Sequence, residues 1–252
     1  MSKSKQQKLP PSKGFLVVGS TKKRFYQLAV NLIRSIKDFY PDAKTCLVTE
    51  ERFCDGNEKF ADHIIYCNDD TRSKLWALDK TPFDITMYID ADSQVEHEDI
   101  ATAFDYLKDN DIIFVNLYKE ADQYFAIREW QGGEMKLCGG VVLYDIRKPI
   151  VKEFLKDWWE YYKLQRDFQW WPDMKDGKPE YSNHPIELKP WDQFTLWWLT
   201  EKSEKYKDLK IGNFDNDFRW NWYAYYSMVQ DKINPNNMDI IINHMSGVIN
   251  KD

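Results

Sequence analysis

A chain of 252 residues, 43% hydrophobic and 30% charged, is long enough to bury a core and too apolar to be disordered, so it reads as one large domain or two small ones. A formal charge of −6 argues against a general nucleic-acid binder, which shows a basic face, although a local basic groove stays open. No apolar run approaches the length of a membrane-spanning helix, and four cysteines (Cys46, Cys54, Cys67, Cys138) without a Cys-x-x-Cys pair read as reduced, packed thiols rather than a zinc site.

Residues 1–13 are rich in Lys, Ser, Gln and Pro and lack an apolar core, so they read as a disordered tail rather than a signal peptide, and the protein is expected in the cytoplasm. Residues 14–20, Gly-Phe-Leu-Val-Val-Gly-Ser, form a compact apolar run closed by small residues: a first strand and a tight turn. Phe25, Leu28, Ala29, Leu32, Ile33, Ile36 and Phe39 then recur at helical spacing until Pro41 stops the helix. Residues 44–50 are a second strand. Strand, helix and strand with short connections imply a right-handed βαβ unit and a parallel sheet.

Residues 63–67 are a third short strand and 73–78 a short helix. Pro82 precedes the strand that ends in Asp90. Residues 97–108 are expected to be helical, with Ile100, Ala103, Phe104 and Leu107 on one face, and 111–117 to be another strand. A polar loop over 118–136 leads to Gly139-Gly140 in a buried strand over 137–144. Paired glycines there admit a closely approaching backbone or ligand, or mark a bulge. Pro149 opens a long helix to about residue 166, with Val151, Phe154, Leu155, Trp158 and Tyr162 inward. Residues 167–188 lack a pattern, as functional loops do. Pro190 begins another helix, residues 211–226 are dense in aromatics, and 238–244 are a last strand. There is no internal repeat. The fold class is therefore α/β: a mostly parallel central sheet flanked by helices, with an aromatic-rich C-terminal region.

The stretch that organises the chain is Asp84-Ile-Thr-Met-Tyr-Ile-Asp-Ala-Asp92. A buried strand ends in two carboxylates separated by one small residue, close enough to share a divalent cation. Hard cations take oxygen ligands and reach phosphates through one or two carboxylates. The same aspartates also suit a helix cap or a solvated turn. In an open α/β sheet, ligands sit beyond the carboxyl ends of strands. Gly19-Ser20-Thr21 at the first strand end offers backbone amides for a nucleotide. His244, after the last strand, offers an imidazole as a third metal ligand; a lone histidine there is otherwise an ordinary hydrogen-bonded residue.

Taken in order, these motifs resemble metal-dependent nucleotide-sugar glycosyltransferases of the GT-A fold, nearest to the glycogenin and lipopolysaccharide galactosyltransferase relatives of glycosyltransferase family 8. The resemblance runs through Thr21, Tyr26, Ala29, Leu32 and Ser35; Asp90-Ala-Asp92; Gly139-Gly140; Asp192-Gln193; and His244-x-x-Gly247. It implies a GT-A domain over 14–252, with a nucleotide-binding half to residue 117 and an acceptor-side half after it. It implies Mn²⁺ or Mg²⁺ on Asp90, Asp92 and His244, bridging the diphosphate of a donor, a UDP-sugar by expectation. Gly19, Ser20, Thr21, Tyr26, Arg72, Gly139, Gly140, Gln193, Gly247 and Lys251 are implied around that donor, and Lys74 and Asp192 at the reacting sugar. Asp192 can equally be read as a helix N-cap. Three positions depart from the family pattern: Cys138 stands where Asn is usual, Trp197 where Asn is frequent, and Lys251 lies four residues after Gly247 rather than three.

The implied reaction is transfer of a sugar to an acceptor hydroxyl with retention of configuration. The acceptor is open among glycan, protein, small molecule, lipid-linked sugar and, with less support, a modified DNA base. Trp130, Trp170 and Trp171, in loops, are the aromatic candidates for its surface, most other rings being expected in the core. Two other classes compete. A nucleotidyltransferase also uses carboxylates and a metal on a parallel sheet, and a non-catalytic sugar- or nucleic-acid-binding module would use the aromatics and the basic tail.

Overall fold

Strand β1 (Lys13–Gly19) is buried at every residue but its first, because it lies mid-sheet with both faces covered. It pairs in parallel with β2 (Thr45–Thr49) on one side and β4 (Ile85–Asp90) on the other. Here the computed structural model describes residues 10–68, 73–116, 137–167, 192–214, 217–223 and 239–245. Arg72, Gly247, Lys251, Trp130, Trp170, Trp171, the 118–136 loop and the 168–188 stretch lie outside the described residues.

Helix α1 (Lys23–Phe39) lays Tyr26, Ala29, Val30, Leu32, Ile33 and Ile36 on the sheet. At its end Tyr40 N donates to Ile36 O, and Pro41 cannot continue it. Phe39, expected on the buried face, is instead exposed in the last turn. β3 (His63–Tyr66) is the sheet edge, and helix α2 (Ser73–Leu78) follows. β5 (Ser93–Val95) comes just after β4. Residues Glu98–Tyr106 wind as 3₁₀ turns rather than the expected α-helix. Three residues per turn put Ile100, Ala103 and Tyr106 in line, which the apolar spacing allows.

β6 (Ile112–Asn116), β7 (Leu137–Asp145), helix α3 (Pro149–Arg166), helix α4 (Asp192–Trp197) and β8 (Ile211–Asn213) complete the main layer. Among the described residues the sheet order is β3-β2-β1-β4-β7-β6-β8. β7 runs antiparallel to both neighbours, and the other described pairs are parallel. Apolar cores fill both faces. Val17, Ile33, Leu47 and Trp220 pack on the α1 side, and Leu16, Val142, Phe154 and Trp158 on the α3 side.

A small second sheet has the order β5-β10-β9, with β9 (Trp222–Tyr223) and β10 (Ile242–His244). The aromatics of the second half go largely inward: Trp158, Trp197, Trp220 and Trp222 are all buried, and Phe214 stacks on Trp220. The cysteines are free thiols; burial pushes the Cys46 thiol up to about 12. Among the described residues no helix is long and apolar enough to cross a membrane.

Candidate active site

The carboxyl end of β4 delivers Asp90 and, past Ala91, Asp92. β5 starts immediately afterwards, and β10 pairs with it so that His244 stands opposite Ser93. Met245 N extends that pairing by donating to Asp92 O at 2.7 Å. This antiparallel match is what carries a residue from near the chain's end to the aspartates. His244 Nε2 lies 3.0 Å from Asp92 Oδ1. Ligand atoms of Asp90, Asp92 and His244 all fall within 4.8 Å of one another. Two hard carboxylates and an imidazole are a donor set suited to Mn²⁺ or Mg²⁺.

His244 is buried, and its Nδ1 meets Asn221 Oδ1 at 3.0 Å. Asn221 Nδ2 in turn donates to Cys138 Sγ at 3.5 Å. Burial alone would raise the Asp92 carboxyl, but the His244 hydrogen bond and charge, with Lys74 nearby, outweigh it and hold the group below the usual range. Asp90 Oδ1 accepts a hydrogen bond from the Tyr88 hydroxyl. Complete burial, reinforced by the Asp90 charge, pushes that phenol far up.

Lys74, on α2, joins the halves of the site. Its Nζ lies 3.2 Å from Asp90 Oδ1 and 2.8 Å from Asp192 Oδ2, and approaches Gly139 O at 3.5 Å. Asp192 opens α4 and is 3% exposed. Its carbonyl accepts from Trp158 Nε1 at 2.8 Å. A Cβ on Gly139 would sit 2.9 Å from the Trp158 ring, so this glycine makes room for the indole that reaches Asp192. Gln193 grips the same strand: its Oε1 accepts from Gly139 N at 3.1 Å and its Nε2 donates to Leu137 O. The start of α4 is thereby fixed to β7.

A cavity of about 180 Å³ opens over Ser20, Thr21, Phe25, Lys74, Asp90 and Asp92. Of the residues singled out from the sequence, Ser20, Thr21, Lys74, Asp90 and Asp92 thus line one space, with His244 and Asp192 in contact with members of that set. Others lie elsewhere. The Tyr26 hydroxyl meets Asp55 at 2.8 Å and Glu58 at 2.9 Å, behind the first turn. A Cβ on Gly19 would meet Phe25 O at 2.6 Å, so Gly19 lets α1 close on β1. Gly140 is buried in β7, its N–H on Cys138 Sγ. Sequence reasoning missed Tyr88, Trp158 and Asn221. Tyr88 was findable, since period-2 alternation puts it on the same strand face as Asp90. Nothing local marks Asn221.

No family model and no curated protein matches the chain. Solved structures do. The bifunctional glycosyltransferase WbbM aligns with a TM-score of 0.59 at 9% identity, over 96% of this chain and 47% of its own. GlyE of Streptococcus pneumoniae TIGR4, a glycosyltransferase, aligns at 0.58 and 12%, over 92% and 54%. An active-site mutant of LgtC aligns at 0.56 and 14%, over 91% and 86%. The fold is GT-A. The chain spans about half the length of GlyE and WbbM, and most of the length of LgtC.

Proposed function

We infer that this GT-A chain is a metal-dependent glycosyltransferase that moves a sugar from a UDP-sugar to an acceptor hydroxyl with retention of configuration. The observation that carries this reading is the meeting of Asp90, Asp92 and His244 on one side of Lys74, with Asp192 on the other. A galactosyltransferase of the same fold, LgtC, has been solved with donor and acceptor sugar analogs.

Asp90, Asp92 and His244 would hold Mn²⁺ or Mg²⁺, which when bound neutralises the diphosphate as leaving group. Lys74 adds positive charge beside it. Ser20 and Thr21, which line the same cavity, would face the donor. The bond between the anomeric carbon and the diphosphate oxygen breaks with its electron pair on that oxygen. The acceptor hydroxyl bonds to the same face of the carbon, and its proton passes to the departing phosphate oxygen. Asp192, its carboxylate oriented by Lys74, stabilises the positive charge that develops on the sugar. Arg72, Gly247 and Lys251 are assigned to the diphosphate on the family resemblance. The working range is one GT-A domain over 14–252, acting in the cytoplasm on a glycan, a protein, a small molecule or, with less support, a modified DNA base.

The test is a panel of nucleotide sugars with Mn²⁺, scored for slow release of nucleoside diphosphate without an acceptor. One UDP-sugar should be turned over, and Asp92→Asn or a chelator should abolish the signal. Pyrophosphate as product would replace this reading with a nucleotidyltransferase. Nucleotide affinity that ignores the metal would leave a binding module.

A further inference from the structure

The turn from β1 into α1 holds a backbone that its sequence disfavours. Thr21 sits at φ +70°, in the left-handed region, where a β-branched residue is an outlier. Lys22 N donates to Ser20 O at 2.9 Å, closing a hydrogen bond across Thr21 alone. That is the positive-φ γ-turn, the rare and strained form. Such a conformation persists only where the surroundings over-determine it, and strained residues of this kind gather at ligand sites.

Two neighbours at the end of β2 do the holding. Thr49 Oγ1 donates to Gly19 O at 2.6 Å. Glu50 Oε1 accepts from Thr21 N at 2.6 Å, and its other oxygen meets Arg52 Nη2 at 2.6 Å. Glu50 is 5% exposed. Burying a carboxylate is costly unless it is paired and hydrogen-bonded, and here Arg52 and the Thr21 N–H supply both partners. The geometric role of Glu50 is the turn, and two of that turn's three residues, Ser20 and Thr21, line the cavity above Asp90 and Asp92.

We propose that Glu50 is a positioning residue for the nucleotide donor: it locks the strained turn so that Ser20 and Thr21 meet the ligand already ordered. The proposal rests on the glycosyltransferase reading and adds to it a residue outside the metal and sugar contacts. Pre-ordering of this kind acts by removing a cost that binding would otherwise meet.

Isothermal titration of UDP in the presence of Mn²⁺ tests it on the wild type, Glu50→Ala, Glu50→Gln, Thr21→Gly and the Glu50→Ala/Thr21→Gly double variant, each checked for cooperative thermal unfolding. Glu50→Ala should raise Kd by about tenfold. Glu50→Gln keeps an acceptor oxygen and should stay within about threefold of wild type. Glycine tolerates φ > 0 without strain, so the double variant should return to within about threefold of Thr21→Gly alone. If Glu50→Ala does not fold, Glu50→Asp, one methylene shorter, takes its place with the same expected direction. A wild-type Kd in Glu50→Ala, or a loss that neither glutamine nor glycine repairs, overturns the role of Glu50 alone. A wild type that binds no UDP overturns the glycosyltransferase reading and this proposal with it.

Discussion

The His244 ring is held by Asn221, a residue outside the group it forms with Asp90 and Asp92. A metal-binding imidazole must present one nitrogen with its lone pair free, and the hydrogen bond at the other nitrogen sets which one. Asn221 Oδ1, 3.0 Å from Nδ1, can accept a hydrogen bond from a protonated Nδ1 and so leave the Nε2 lone pair for an ion. The amide is itself oriented, because Asn221 Nδ2 is directed at Cys138 Sγ. Cys138, which departs from the pattern of the family that the motifs resemble, is in this chain the far end of a hydrogen-bond relay to His244. Asn221→Ala should therefore raise the Kd for Mn²⁺ by about 10- to 100-fold, with Asn221→Asp, which keeps the acceptor, much closer to wild type. Titration with MnCl₂ reads this directly, and equal affinities in wild type and Asn221→Ala would remove the relay. The aspartates and the histidine were legible in the sequence because each closes an apolar strand. Asn221 was not, because its role comes from the parallel register of β9 and β10, which pairs Asn243 with Trp222 and His244 with Tyr223.

Elements explain why the glycines matter. Gly139 reads in the sequence as a place for a backbone or ligand to approach closely, or as a bulge, and the close neighbour is the Trp158 side chain of α3. Composition could not decide between an indole and a sugar, since either needs the missing Cβ. A methyl group 2.9 Å from a buried ring overpacks the interface, so Gly139→Ala should cost about 1–3 kcal/mol. Because Trp158 Nε1 also supports the Asp192 carbonyl, turnover should fall more than stability implies. Adding Trp158→Phe should recover part of the unfolding midpoint while leaving turnover low; a midpoint unmoved by Gly139→Ala would show that the ring yields freely. The edge strand offers a pH probe. Asp62, just before β3, accepts from Thr45 N at 3.0 Å and pairs with Lys37 at 2.8 Å. Its partial burial would raise the carboxyl, but Lys37 and Thr45 outweigh this and lower it from 3.8 to about 2. A depressed folded value means stability that is complete above the unfolded value and is lost as pH falls from there through the folded one. About 1–2 kcal/mol, after discounting for solvent, should vanish between pH 4 and pH 2, a window that takes its edges from the same two values. Asp62→Asn should flatten that part of a stability–pH curve from urea melts, and an unchanged slope would contradict the assignment.

At the scale of the molecule, the first half was the easier to read. Strand and helix alternate there with short connections, and parallel order follows from handedness. The second half breaks that logic, since β7 enters between β4 and β6 in reverse and no periodicity announces an antiparallel insertion. The small sheet is further from sequence reasoning still. It joins β5, next to the aspartates, to β9 and β10 from the C-terminal region, and is braced where Arg219 pairs with Asp99 at 2.5 Å and bonds Asp239 O at 2.7 Å. The Asp90–Asp92–His244 group straddles that junction, with Asp90 ending β4, Asp92 just beyond it and His244 on β10. An ion that binds only the assembled junction must stabilise it by mass action, by about 2.7 kcal/mol at a hundred times its Kd. For a chain of this size that is a rise of roughly 5–10 °C in Tm. Mn²⁺ should raise the Tm of the wild type in a concentration-dependent way and leave His244→Ala and Asp92→Asn unmoved. An equal rise in His244→Ala would place the ion away from β10, and the two sheets would then meet at the aspartates without sharing a ligand.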